Sequence, residues 1–221
     1  MEEHKHVEKK DNTMKILSIM IGLLLLIALY NGFKFSNISK QATNSGSVNI
    51  NVNEFASVIP KGIPIVYGAE LGVSYDDVSV ANPTKADQTI RKLGDFDNAI
   101  TLTGKDLARY INISSKISCE YCCGAASIIF NDGSAACGCA HSYAMRGLAK
   151  YLITKHGSEF TDDQILEEMG KWKVLFFPEI HMQKAAALKQ NGIELNYINL
   201  ASNLYRNIEK GASGGAMVGG C

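Results

Sequence analysis

Neither sign of charge is in excess in this chain: 22 lysines and arginines are matched by 22 aspartates and glutamates over 221 residues. There is no net positive field and no basic stripe interleaved with aromatics, so the composition argues against a nucleic-acid partner. No internal repeat is visible. The chain has no phosphate-binding loop, no H-E-x-x-H and no C-x-x-C-H for covalent haem. The G-x-S-x-G at 211–215 sits in a glycine-rich tail with no strand before it and no histidine after it, which argues against a nucleophile elbow.

What is present first is an apolar run. Between Lys15 and Lys34 lie 18 uncharged residues, about 27 Å as a helix and close to the thickness of a bilayer core. No A-x-A-like cleavage site follows, and leucine and isoleucine surround the whole helix, so the run reads as an anchor rather than a signal peptide or a core helix. Lys5, Lys9, Lys10 and Lys15 outnumber Lys34 and Lys40 across it, which favours a cytoplasmic N-terminus. The expected layout is a cytoplasmic tail over 1–15, a transmembrane helix over 16–33 and a polar, flexible stalk over 34–58. An extracytoplasmic helical domain over 59–210 and a glycine-rich tail over 211–221 follow. The partners expected are the membrane itself, through this single-pass anchor, and a membrane protein.

Helical periodicity dominates the domain. Ile90, Leu93 and Phe96 mark one helix; Leu107, Tyr110 and Ile111 mark a second, with Thr103 and Asp106 as a capping box. Ala144, Leu148, Tyr151 and Leu152 share the face of a third. Thr161 and Gln164 cap a fourth, with Ile165, Leu166, Met169 and Trp172 behind them. Pro178 opens a fifth and Gly192 closes it, and a last helix is expected over about 200–210. Trp172 and the Phe176–Phe177 pair read as core. His156 and His181, near helix ends, read as solvated.

Five of the six cysteines fall within 21 residues. Cys119 and Cys122 form a C-x-x-C with Cys123 behind it, and Cys137, Cys139 and His141 form a C-x-C-x-H. Asn131-Asp132-Gly133 between them is a tight-turn sequence, so a β-hairpin is expected to fold the two groups together. Cys137 to His141 would sit at a helix start, where free N–H groups stabilise thiolates. The fold class predicted is therefore mainly α, with a Cys-rich β-hairpin of treble-clef or ribbon type over 117–142. Thiolates cluster to hold a soft ion or to exchange electrons. A tetrahedral ion needs four ligands, and Cys119, Cys122, Cys137 and Cys139 are the first choice, with Cys123 and His141 as alternates. The ion expected is Zn or Cu(I), ahead of an iron–sulfur cluster. The competing chemistry is a Cys119–Cys122 dithiol, although no βαβ pattern of thioredoxin type surrounds it. A plain disulfide framework, with Cys221 included, is the third option.

The segments ISCEYCCGA, ACGCAHSYAMRGLAKYLI, TDDQILEEMGKWKVLFFP and the ending VGGC resemble a group of uncharacterised membrane-anchored proteins of archaea and small-genome bacteria. That likeness covers about Pro60 to Cys221; it implies a prokaryotic source and no particular activity. A looser similarity is to the thiol-reductase module of cytochrome c maturation, through the anchor, the cysteine loop before a helix bearing Arg146 and the later T-D-D-Q-I-L helix. That resemblance implies thiol–disulfide exchange. A structural accessory subunit of a membrane complex is a further reading.

Overall fold

The computed structural model describes residues 15–17, 19–22, 56–210 and 217–219. The chain divides into two units, Met1–Asn49 and Ile50–Cys221. In the first unit the described residues, 15–17 and 19–22, are helical. No helix among the described residues is long and apolar enough to cross a membrane, which overturns the expected anchor over 16–33. A span needs about 20 apolar residues in one continuous helix. The rest of the expected span, residues 18 and 23–33, lies outside the described residues, as does most of the expected stalk.

The second unit is helical: α1 (Gly68–Leu71), α2 (Pro83–Ala99), α3 (Gly104–Ser114), α4 (Ala140–His156), α5 (Asp162–Phe176), α6 (Pro178–Gln190) and α7 (Tyr197–Ala201), with 3-10 turns at Tyr75–Asp77 and Asn203–Tyr205. The starts are written in side chains. Asn82 accepts from Lys85 N before Pro83, and Thr161 and Gln164 close a reciprocal capping box. Such caps satisfy N–H groups that have no partner inside the helix. Thr103 occupies its N-cap position without a side-chain bond, so the capping box expected there does not form.

Helices α2 and α4 lie almost backbone to backbone. A Cβ placed on Gly147 would collide with the carbonyl of Leu93, and one on Gly94 would lie 3.3 Å from Tyr143 Cβ. Around that pair the core gathers Ile90, Leu93, Tyr110, Leu148, Ile165 and Trp172, all at most 2% exposed. Burying side chains of this size supplies about 1.5–3 kcal/mol each.

The expected β-hairpin is not formed, because the described residues contain no strand. Its turn exists: Phe130 N donates to Ser134 O at 2.8 Å, and Gly133 takes φ 86. Only one antiparallel bridge, Ile129 to Ala135, flanks it. Ile128 and Ile129 are both buried, so the run has no solvent-facing side at these two positions. Ile128 O still accepts from Ala136 N across the turn, and from Arg146 Nη1, but the Ile128 N–H goes to Ile117 O instead. The segment is absorbed into the core between α3 and α4.

The last helix also differs from expectation. Ser202 ends α7 and caps the next 3-10 turn, and Asn207 at φ 61 leaves helical backbone altogether. Beyond the undescribed 211–216, the glycine-rich tail returns to the core: Val218 is 2% exposed and donates its N–H to Phe176 O at 2.9 Å.

Candidate metal centre

Two segments bring the sulfurs together. After α3, Ile117 pairs with Ser202 and Ser118 Oγ donates to Asn203 Oδ1 at 2.6 Å, which fixes the chain entering Cys119. Cys122 N then bonds Cys119 O at 3.1 Å, and Gly124 at φ 67 turns the backbone away. This tight knuckle points Cys119 into the interior. From the other side Cys139 is the N-cap of α4, its sulfur accepting from Ser142 N at 3.4 Å. A thiolate in that position is stabilised by unpaired helix N–H groups and the positive dipole end.

The donor atoms of Cys119, Cys122, Cys139 and His141 all lie within 4.8 Å of one another, and so do those of Cys123, Cys137 and Cys139. Cys139 Sγ is 3.3 Å from Cys119 Sγ and 3.4 Å from Cys137 Sγ. The chain therefore has Cys/His groups that could hold a metal ion. Cys119 and Cys139 are buried free thiols. Cys123 and Cys137 form a disulfide, and Cys122 is disulfide-bonded as well. Cys221 lies outside the described residues.

The two free sulfurs are electrically unlike. The hydrogen bond from Cys119, more than offsetting burial, pulls Cys139 down to about 3, with help from Ser142. Its partnership with Cys139, together with burial, pushes Cys119 above the ordinary thiol range. One proton is thus shared between two sulfurs, and Cys139 holds the charge.

His141 is fully buried, and its ring has a defined orientation. Nε2 lies 2.8 Å from Val218 O, while Nδ1 is buried with no hydrogen-bond partner. A carbonyl can only accept, so Nε2 carries the proton and Nδ1 presents a lone pair. Phe176 and Phe177 pack on the ring at 4.7 and 5.0 Å.

The sequence placed Cys119, Cys122, Cys139 and His141 as candidates, and the structure brings these four together; it places Cys137 with Cys123 in the second group. His181 was expected in solvent and is instead fully buried, bonding Phe177 O through Nδ1 at 2.8 Å. His156 is held between Glu70 and Glu159, with its side chain 12% exposed.

Three further residues had no place in the sequence reading. Glu120, inside the C-x-x-C, meets Lys173 at 3.1 Å and Lys184 at 3.4 Å, and all three side chains are buried. Burial pushes Glu120 upward, but the two lysines outweigh it and hold the carboxyl below its usual range. Burial lowers Lys173 to about 8 against the pull of Glu120. A lysine among Trp172, Val174 and Leu175 hinted at a buried partner, but nothing in the sequence linked it to Glu120. Arg146 is buried too: it bonds Asp97 at 2.7 Å and the Cys137 carbonyl at 2.8 Å, and its Nη2 has no partner.

Comparison with protein-family models, with curated proteins and with solved structures finds no match.

Proposed function

We propose that the chain binds a soft metal ion, Zn(II) or Cu(I), through the sulfurs of Cys119, Cys122 and Cys139 and Nδ1 of His141. The observation that carries this reading is the His141 ring. A buried imidazole nitrogen with no partner is costly, and its tautomer is fixed by a carbonyl on the far side. That is the arrangement by which a metal-binding histidine is oriented, with one nitrogen tied to an oxygen and the other free for the ion. Three thiolates and one imidazole complete a tetrahedral shell.

The charge of the surroundings supports the same reading. Zn(II) with three thiolates carries a net charge of −1. Next to Cys119 the buried Lys173, Lys184 and Glu120 sum to +1 when ionised, so the anionic centre and its neighbours cancel. Loading requires Cys122 as a thiolate, and so begins from the reduced chain.

The test is metal analysis of the anaerobically reduced full chain. Cys119→Ser and His141→Ala should each lower the tightly bound metal by one equivalent. Metal content unchanged in both variants would overturn the proposal.

A second reading has its own observation. Cys139 lies 3.4 Å from Cys137, which is bonded to Cys123. A low-pKa thiol within reach of a disulfide favours thiol–disulfide exchange. The reactive pair would then involve Cys139 rather than the expected Cys119 and Cys122. Metal-free protein with a reversible disulfide of measurable potential would favour this reading.

A further inference from the structure

Cys139 belongs to both sulfur groups. It lies almost equally far from Cys119 and Cys137, at 3.3 and 3.4 Å. A thiolate has more than one lone pair and can bridge two ions. The second group, Cys123, Cys137 and Cys139, offers sulfur alone, and its three sulfurs lie within 4.8 Å of one another. An all-thiolate donor set selects the softest ions.

The second group differs from the first in access and in support. Cys123 is exposed, while Cys137 and Cys139 are buried. Cys137 is held independently of its disulfide. Its carbonyl accepts from Arg146 Nη1, Arg146 is tied to Asp97, and Ala136 N bonds Ile128 O. Breaking the Cys123–Cys137 bond therefore leaves the Cys137 backbone where it is. The same guanidinium has a buried Nη2 without a partner, a positive group beside a centre that becomes anionic on reduction.

We propose that reducing the Cys123–Cys137 disulfide opens a second metal site, built from Cys123, Cys137 and a bridging Cys139, that takes Cu(I). The proposal rests on reading the first group as a metal site, with which it shares Cys139. The reductant is a dithiol. Its first thiolate attacks Cys123 Sγ at the surface, forming a mixed disulfide and releasing Cys137 as a thiolate. Its second thiol then attacks its own mixed-disulfide sulfur, releasing Cys123 as a thiolate and leaving the reductant as a disulfide. Two electrons pass from the dithiol to the Cys123–Cys137 bond. Cu(I) then binds the three thiolates, and any proton they still carry goes to solvent.

The experiment is an anaerobic Cu(I) titration of the fully reduced full chain, of Cys123→Ala and of His141→Ala, read as equivalents of copper bound per chain. The first site accepts Cu(I) as well, so two equivalents are expected in the reduced chain and one in Cys123→Ala. Because Cys123 is exposed, that substitution removes no core contact. One equivalent in the reduced chain, unchanged in Cys123→Ala but lost in His141→Ala, would overturn the second site and leave the first standing. Two equivalents in Cys123→Ala would also overturn it. No copper bound by the reduced chain would overturn both sites.

Discussion

Cys139 and Glu120 show how single side chains set the electrostatics of the site. Cys139 is held down to about 3 by the hydrogen bond from Cys119 and by its place at the helix start, against an ordinary value of 9.0. Between those values the unfolded chain binds a proton there that the folded chain does not, so the contribution to stability rises with pH. It is fully present above the ordinary thiol value and is lost as pH falls toward the folded one. The stability gap between disulfide-bonded, metal-free wild type and Cys139→Ser should therefore widen from about pH 5 to about pH 8, as read by urea unfolding. A gap independent of pH would mean that Cys139 is not the charged sulfur. Glu120 makes the complementary case. Glu120→Gln leaves Lys173 and Lys184 without their buried counter-charge and should cost about 3–5 kcal/mol in chemical denaturation. At this scale the sequence showed which residue types converge, because cysteine spacing is conspicuous. It did not show that His141 is a ligand candidate equal to the sulfurs. That depends on Val218 O, 77 residues away, and no local pattern encodes such a contact.

At the scale of elements, the site is an intersection. The start of α4 supplies Cys139 and His141, the knuckle after α3 supplies Cys119 and Cys122, the end of α5 packs its phenylalanines on the imidazole, and the returning tail fixes the tautomer. The tail is held through Val218 N to Phe176 O. Val218→Pro removes that N–H and should lower metal affinity about 10–100-fold, the effect of losing a partner that orients a ligand. Competition with a metal indicator would measure it, and unchanged affinity would mean that the tail does not orient His141. Helix existence was legible, since the Thr161–Gln164 box, Pro178 and the apolar stripes each act within a few residues. The hairpin was not. Asn131-Asp132-Gly133 does turn the chain, but whether its flanks pair fully depends on Ile117, whose carbonyl takes the Ile128 N–H that a ladder would use. The final helix failed similarly, because Asn207 N bonds Glu120 Oε1 across 87 residues instead of continuing a helix.

At the scale of the molecule, the second unit wraps its reactive groups in a helical core and balances their charge from within. A net charge of zero over the whole chain conceals a local excess of buried lysine beside a cluster of sulfurs, and composition cannot reveal that arrangement. Oxidised and reduced chains should accordingly differ in what they hold: disulfides in one, metal in the other. The most direct test is X-ray absorption at the zinc edge of reduced, zinc-loaded Cys123→Ala, which keeps only the first site. The expected shell is three sulfurs at about 2.3 Å and one imidazole nitrogen at about 2.0–2.1 Å, with the nitrogen lost in the added His141→Ala variant. No tightly bound zinc, or a shell without imidazole, would contradict the account.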